Sequence, residues 1–396
     1  MMDAALKKGQ VLSGFRILDL GSFITAPYAA MLLAEMGADV IKIEKPVTGD
    51  PFRAFGEGLY SSHFQAHNRN KRSVTLDYTK PSGRAALDVL VASADVLLIN
   101  VRPGVEAKLG VDAARLQALN PRLIYCAITG YGADGPYAER PAYDNVGQAL
   151  SGWLSMFHEG KDARVAGPAV SDAFTGMFAV MGVLGALLER EKTGRGRKVE
   201  VSMLEATIAF ATEPLARFFS SGKPLPFYSR AAASQSFVLT CQDGLRISLH
   251  LSSPEKFWMG LLAAISRDDL AQKYPDRASR INNYDQLAID LAEAFFTQPR
   301  DHWLPLLEKH DVPFAPERRI EDLAADPQVQ HLGVFYEMEH PQYGKVSAPH
   351  RPIRYDGDNH SNFMPPPALG EHTHSVLRDA GLQPADIDRL TKEGVI

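Results

Sequence analysis

Phe15-Arg-Ile-Leu-Asp-Leu20, then Gly21-Ser-Phe-Ile-Thr-Ala26, then a helix-like run from Pro27 to Met36, then Gly37, then Asp39-Val-Ile-Lys-Ile43: this stretch decides the fold. The first piece is a short apolar strand and the second a turn. Pro27 suits the first turn of a helix, where a missing N–H leaves nothing unpaired. Gly37 ends that helix, and the last piece is a second strand. Together they form a βαβ unit. The pattern recurs with changes in a strand over 73–76, a helix over 81–92 and a strand over 95–101. A helix near 112–119 and a strand over 123–128 follow. Such alternation predicts an α/β fold, a parallel sheet with helices on both faces. Ligands in such sheets sit beyond the carboxyl ends of the strands.

Further along, residues 141 to about 215 read as mostly helical, apart from a loop at 194–198 and a strand-like 198–201. Ser221-Gly-Lys-Pro-Leu-Pro226 reads as a linker. A second region has strands near 236–240 and 245–251, then helices. Pro313, Pro316 and Ala325-Asp-Pro327 mark a return linker. The tail mixes a strand over 333–339, the run Pro365-Pro-Pro367 and a last helix. No repeat of fixed period occurs. The middle region therefore reads as an insert between two parts of one larger domain.

The chain has 396 residues, 45% of them apolar and 22% charged, so it can bury a sizeable core. A net charge of −5 argues against a dedicated nucleic-acid binder. Two cysteines, Cys126 and Cys241, exclude a disulfide framework and point to a reducing, cytoplasmic setting. The N-terminus has no unbroken apolar segment behind its two lysines, so no signal peptide is expected. The apolar run 173–188 carries three glycines and is short for a membrane span, and it reads as a buried helix.

The first turn lacks the second and third glycines of a dinucleotide fingerprint, which argues against NAD or FAD. Glu44, where a ribose-binding acid would stand, then reads as a plain strand-end charge. His67-Asn-Arg-Asn-Lys-Arg-Ser73, Arg102 and Lys108 form either a cationic site for phosphates or a solvated face. Asp172 stands at the head of the apolar run. It reads either as an N-cap or as a desolvated carboxylate able to act as nucleophile or base. His372-Thr-His374 has no third or fourth ligand nearby, so a metal is not expected and Thr373 or a neighbour reads as a cap. No nucleophile elbow and no P-loop occur.

Taken together, LDLGSFITAPYAAMLLAEMGADVIKIEKP, NRNKRSVTLD, INVRPGVEAKLG, LNPRLIYCAITGYGADGPYAERPAYDNVGQALSG, SDAFTGMFAVMGVLGALLEREKTGRGRKVEVSMLEA and the late DPQVQHLGVFYEMEHPQYG and PPPALGEHT resemble, in order and spacing, the class III CoA-transferases. That family includes formyl-CoA transferase, carnitine CoA-transferase and α-methylacyl-CoA racemase. The resemblance implies a large Rossmann-like CoA-binding domain from residues 1–220 and 328–396, a smaller α+β domain over 228–312, and linkers over 221–227 and 313–327. It also implies an interlocked, ring-like homodimer. No tightly bound cofactor is implied; acyl-CoA and small carboxylic acids are the partners, with neither nucleic acid nor membrane.

In the resemblance, Asp172 takes the position of the nucleophile, which forms an aspartyl anhydride and then an aspartyl-CoA thioester. Ile24 and Thr25 match the turn at the thiol end, Lys45 the cation that meets the nucleotide, and Leu76 the adenine segment. Asn100, Val101, Arg102 and Lys108 match the strand-end loop and the cation after it. Tyr143 and Asp144 match the loop facing the catalytic carboxylate. Racemases carry a histidine where Tyr143 stands; a tyrosine, with a pKa near 10, is a poor substitute, which leaves 2-methylacyl-CoA racemization as the alternative activity. Ser229-Arg-Ala-Ala-Ala-Ser-Gln235 reads as a loop lacking the glycines of formyl-CoA transferase, which predicts a different acid.

Overall fold

A computed structural model describes residues 10–158, 164–165, 167–252, 254–358 and 363–396. The first nine residues, on which the expectation of no signal peptide partly rests, lie outside these. The chain divides into two compact units, Met1–Thr212 with Gly333–Ile396, and Glu213–Leu332.

The first unit is built on six parallel strands: β1 (Arg16–Asp19), β2 (Asp39–Glu44), β3 (Lys71–Thr75), β4 (Val96–Ile99), β5 (Ile124–Thr129) and β6 (Lys198–Ser202). Their order is β3-β2-β1-β4-β5-β6. In the register, Leu18 faces Ile41 of β2 and Leu97 of β4. Alternation sends Leu18, Ile41, Leu97 and Tyr125 to one face, under α3 (Pro81–Ala92), α5 (Ala113–Leu119) and the C-terminal helices. Ile17, Val40, Leu98, Ile124 and Cys126 go to the other, under α1 (Thr25–Glu35) and α7 (Val170–Thr193). Strands covered on both faces need such near-continuous apolar runs. Each fully buried Leu or Ile among them contributes roughly 1.5–3 kcal/mol.

Between these lie α2 (Ser62–Asn68), α4 (Val105–Leu109) and α6 (Asp144–Leu150), and α8 (Met203–Phe210) follows β6. The tail adds the antiparallel hairpin β10 (Phe335–His340) and β11 (Gly344–Pro349), whose Tyr343 stacks on Tyr60 with centroids 3.9 Å apart. It ends in α17 (Thr373–Asp379) and α18 (Pro384–Lys392). Thr373 caps nothing: its hydroxyl accepts from Thr75 N at 3.0 Å, and His372 Nδ1 accepts from Ser73 N at 3.3 Å. These contacts cover the exposed side of β3, which blunts an edge strand.

The second unit has an antiparallel sheet of β7 (Ser236–Thr240), β8 (Arg246–His250) and β9 (Phe314–Pro316), in that order. Helices α11 (Glu255–Ile265), α12 (Asp269–Lys273), α13 (Arg277–Asn282), α14 (Tyr284–Phe295) and α15 (Arg300–Lys309) belong to it. Its core is centred on Phe237, Leu249, Trp258, Leu291 and Phe295. The chain enters through α9 (Thr212–Ser221) and leaves after α16 (Pro327–Leu332). Two local expectations change. Residues 229–235, read as a loop, contain the helix α10 (Ser229–Ser234), because three consecutive alanines favour helix. Within the stretch 313–327, read as linker, Phe314–Pro316 pairs with β8; Pro316 is tolerated there at the sheet's edge.

Helix α7 is longer than the apolar run suggested, at 24 residues, and it is buried on one side only. Met177, Met181 and Leu188 are 44%, 63% and 66% exposed. Its inner side is close-packed on α1. A Cβ on Gly176 would come within 2.9 Å of Tyr28 and 3.0 Å of Thr25 O. Only glycine allows that approach, and it carries the start of α7 to the start of α1.

Candidate active site

The helices that follow β1 and β4 leave the sheet on opposite faces, so a crevice opens between the two strand ends. The cavity there is lined by Ser22, Phe23, Ile24 and Thr25 after β1, by Asn100, Val101, Arg102 and Pro103 after β4, and by Thr129 and Gly130 at the end of β5. Arg140, Ala142 and Tyr143 form another wall, and Asp172 and Met203 close it.

Seven of the residues singled out in the sequence meet in this cavity: Ile24, Thr25, Asn100, Val101, Arg102, Tyr143 and Asp172. Asp144 lies behind the wall, against the start of α7. Lys45 is exposed after β2, and Lys108 lies in the last turn of α4. Leu76 is buried in the apolar core beside Ile43 and Val74, so its side chain does not reach the cavity wall. Sequence reasoning passed over Phe23, Arg140 and Met203. Arg140 had a signal: it directly precedes Pro141 in the segment that carries the family resemblance.

The turn after β1 is held rigidly. Lys42 Nζ donates to Gly21 O at 2.9 Å, and Asp19 Oδ1 accepts from Gly21 N at 2.9 Å. Asp50 Oδ1 accepts from Phe23 N at 3.3 Å. Phe23 sits at φ 62°, a left-handed conformation that costs a bulky residue on the order of 1 kcal/mol. Its ring packs edge-on against Phe52 and Tyr143. This geometry leaves Ile24 and Thr25 at the N-terminus of α1, where first-turn N–H groups have no partner within the helix.

Behind the turn is a fully buried ion cluster. Lys71 Nζ meets Asp19 at 2.8 Å and Asn68 Oδ1 at 2.8 Å, and Lys42 meets Asp50 at 3.0 Å. Arg53 pairs with Glu44 at 2.7 Å. The solvated-face reading of 67–73 is therefore overturned for Lys71 and Arg69, both buried. Glu44 is no plain strand-end charge either. Burial opposes ionisation of Asp19, but Lys42 and Lys71 outweigh it and hold the carboxyl below its usual range. Burial lowers Lys71 to about 8. The cations here hold the fold and are not free for a ligand.

Asp172 is 9% exposed and lies in the first turn of α7, two residues past Val170. It is not the cap. Asp144, at the start of α6, caps the helix from outside: its Oδ1 accepts from Ser171 N at 2.8 Å and from Asp172 N at 3.3 Å. The capping group comes from 28 residues upstream, so no local pattern could have announced it. Burial, then the nearby Asp144 carboxylate, pushes Asp172 up to about 7. Such a carboxyl is a stronger base and nucleophile, once ionised, than an exposed one. Cys126 is buried and its thiol is pushed up to about 12, so it is inert. Among the described residues no group of three or more His, Cys, Asp or Glu gathers for a metal.

Comparison with known proteins adds to this geometry. The sequence pattern of CoA-transferase family III matches residues 12–373. The chain is 32% identical over 378 residues to human succinyl-CoA:glutarate CoA-transferase, covering 93% of this chain and 85% of that one. It is 32% identical to acetyl-CoA:oxalate CoA-transferase of Acetobacter aceti, covering 92% and 95%. A crystal structure of a CAIB/BAIF family protein from Brucella suis superposes with a TM-score of 0.83 at 30% identity, covering 93% of this chain and 99% of that one.

Proposed function

This chain belongs to CoA-transferase family III, and from that premise we propose that it moves coenzyme A between carboxylic acids through covalent intermediates on Asp172. Coenzyme A enters as an acyl-CoA substrate. The observation that carries the reading is one carboxyl, buried and basic, at the strand-end crevice beside the N-terminus of α1.

In this reading the Asp172 carboxylate attacks the thioester carbonyl of the donor. The C–S bond breaks, CoA thiolate leaves with the electron pair, and a mixed aspartyl–acyl anhydride remains. The thiolate attacks the aspartyl carbonyl and expels the donor as a carboxylate, leaving an aspartyl-CoA thioester. An acceptor carboxylate attacks that thioester and regenerates an anhydride. The thiolate then attacks the acceptor's carbonyl, giving the new acyl-CoA and free Asp172. Each tetrahedral oxyanion needs donors, and the first-turn N–H groups at Ile24 and Thr25 are suited to supply them. Arg102 is suited to offset CoA phosphate charge from the cavity wall, and in this proposal Lys45 and Lys108 do so from outside the cavity. Leu76 contributes through its segment next to the adenine, and Asn100 and Val101 through the strand-end loop. Tyr143 and Asp144 flank the nucleophile.

Among the acids exchanged we propose a dicarboxylate. The relatives named for succinate, glutarate and oxalate support this. Racemization gains no support, since among the described residues no histidine lines the cavity. Residues 1–220 with 328–396 act in this proposal as the CoA-binding domain, 228–312 as the small domain, and 221–227 and 313–327 as linkers. The working form is an interlocked homodimer in the cytoplasm; the apolar outer side of α7 and two free thiols support those points.

The test is trapping. With succinyl-CoA present, hydroxylamine or borohydride should modify Asp172, located by peptide mass spectrometry. Asp172→Ala should exchange nothing. Wild-type turnover in that variant, or modification at another carboxyl, overturns the assignment.

A further inference from the structure

We propose, resting on the nucleophile reading, that Asp144 is a positioning residue whose carboxylate occupies the N-terminus of α7 and takes the backbone donors that would otherwise turn to Asp172. A helix of 24 residues has a partial positive charge at its start, made of N–H groups without intrahelical partners. An acid in that first turn would ordinarily draw on those donors and become easier to ionise. Here the Ser171 and Asp172 N–H groups both point at Asp144 Oδ1. The helix supplies no side-chain cap of its own. Asp144 thus takes the stabilisation, and Asp172 is left beside a second carboxylate.

The place of Asp144 is fixed from two sides. Gln148 Nε2 donates to its Oδ2 at 2.5 Å. Helix α6 is pressed against α7 and α8, since a Cβ on Gly147 would stand 2.6 Å from Ser171 Oγ and 2.5 Å from Met203 Sδ. The Ser171 hydroxyl bonds to that of Thr207 at 2.5 Å, which ties α8 to the same turn. The pair of acids therefore has one geometry.

The charged and titratable groups around Asp172 are few. Arg102, Arg140 and Tyr143 share the cavity with it. From α1, Tyr28 packs at Gly176 and is itself harder to ionise because it is buried. On α8, Glu205 is bonded to Ser202. Burial and Asp144 together push Asp172 up, and no guanidinium offsets them. The consequence for the reaction is a trade. Fewer Asp172 carboxyls are ionised at neutral pH, but each ionised one attacks a thioester faster, because nucleophilicity rises with basicity.

Asp144→Asn isolates the charge. Its amide oxygen still accepts the two N–H groups, while the anion is gone. Two readouts apply to the purified full-length protein. One is the acid limb of kcat/KM for CoA exchange between succinyl-CoA and glutarate. The other is a carbon-13 carboxyl NMR titration of the free enzyme, with the Asp172 signal assigned by Asp172→Asn. Both should move down by roughly one pH unit, with the plateau rate falling about 3- to 10-fold. Asp144→Glu, which keeps the charge, should hold the limb near its wild-type place. If Asp144→Asn does not fold, Asp144→Ala removes the anion and the acceptor together, and the Asp172 titration should again move down. An unmoved titration overturns the proposal even where Asp172 carries the CoA adduct. A moved titration with no adduct would instead sink the nucleophile reading and leave the coupling of the two acids standing.

Discussion

Asn100 Nδ2 donates to the Thr25 hydroxyl at 2.9 Å, joining the end of β4 to the start of α1 across 75 residues of chain. The same amide donates to Ser22 O at 2.8 Å, and its Oδ1 accepts from Ser22 N at 2.9 Å. One side chain thus clamps the whole turn on the wall of the cavity that Asp172 also lines. Asn100→Ala should lower kcat at least about tenfold and cost roughly 1–3 kcal/mol of stability, because the partly buried Ser22 backbone and the buried Thr25 hydroxyl lose their partner. Steady-state kinetics and urea unfolding measure both. A variant with unchanged kcat would mean the turn needs no clamp.

The raised Asp172 has a stability signature. Its carboxyl titrates near 3.8 when unfolded and at about 7 when folded. Between those values the folded state holds the extra proton, so stability falls as pH rises through the window. Below about pH 4 no penalty exists, and above about pH 7 it is complete, on the order of 4 kcal/mol. Asp172→Asn should therefore raise the melting temperature at pH 8 and leave it almost unchanged at pH 4. Equal effects at both pH values would contradict the buried, basic carboxyl.

Arg102 makes no ion pair among the described residues and lines the cavity. Arg102→Ala should raise KM for the acyl-CoA about tenfold with little change in kcat, and the loss should shrink at high salt. A variant that instead loses kcat at unchanged KM would place Arg102 at the reaction itself.

Breaking the buried ion cluster should be costly. Asp19→Ala leaves Lys71 and Lys42 short of a counter-charge, and unfolding should be easier by about 3–5 kcal/mol. Chemical denaturation read by tryptophan fluorescence and circular dichroism checks this. A loss under 1 kcal/mol would show that the cluster adds no stability.

The outer side of α7 makes a different prediction. Met181, 63% exposed, lies one helical turn from Met177. Met181→Lys should shift sedimentation from dimer towards monomer and lower specific activity at dilute protein. A monomeric wild type would remove the homodimer from the proposal.

Much of this molecule was legible in its sequence, for physical reasons. The strand over 123–128 is a continuous apolar run, and those over 15–20 and 39–43 are apolar but for Arg16, Asp19, Asp39 and Lys42, a pattern that a sheet covered on both faces requires. The crevice follows from their alternation with helices, and Asp172 from its place at the head of an apolar run. What stayed hidden depends on contacts between distant residues. Nothing near Asp172 announces that Asp144 caps its helix. Nothing near Lys71 announces that Asp19, 52 residues upstream, will hold it buried, since a cation in a charged run ordinarily points to water. The strand Phe314–Pro316 is three residues long and holds a proline, so its signal was that of a linker.

The cavity wall draws on residues 24, 100, 130, 172 and 203. During synthesis the first of these leaves the ribosome long before the last. At typical elongation rates the delay is roughly 10 to 40 s. The turn at Ile24 gains its clamp only with Asn100, and the opposite wall comes from Asp172 and Met203 later still. A chain that stops short of about 200 residues therefore lacks part of the cavity wall, and no single segment of the chain carries the cavity alone.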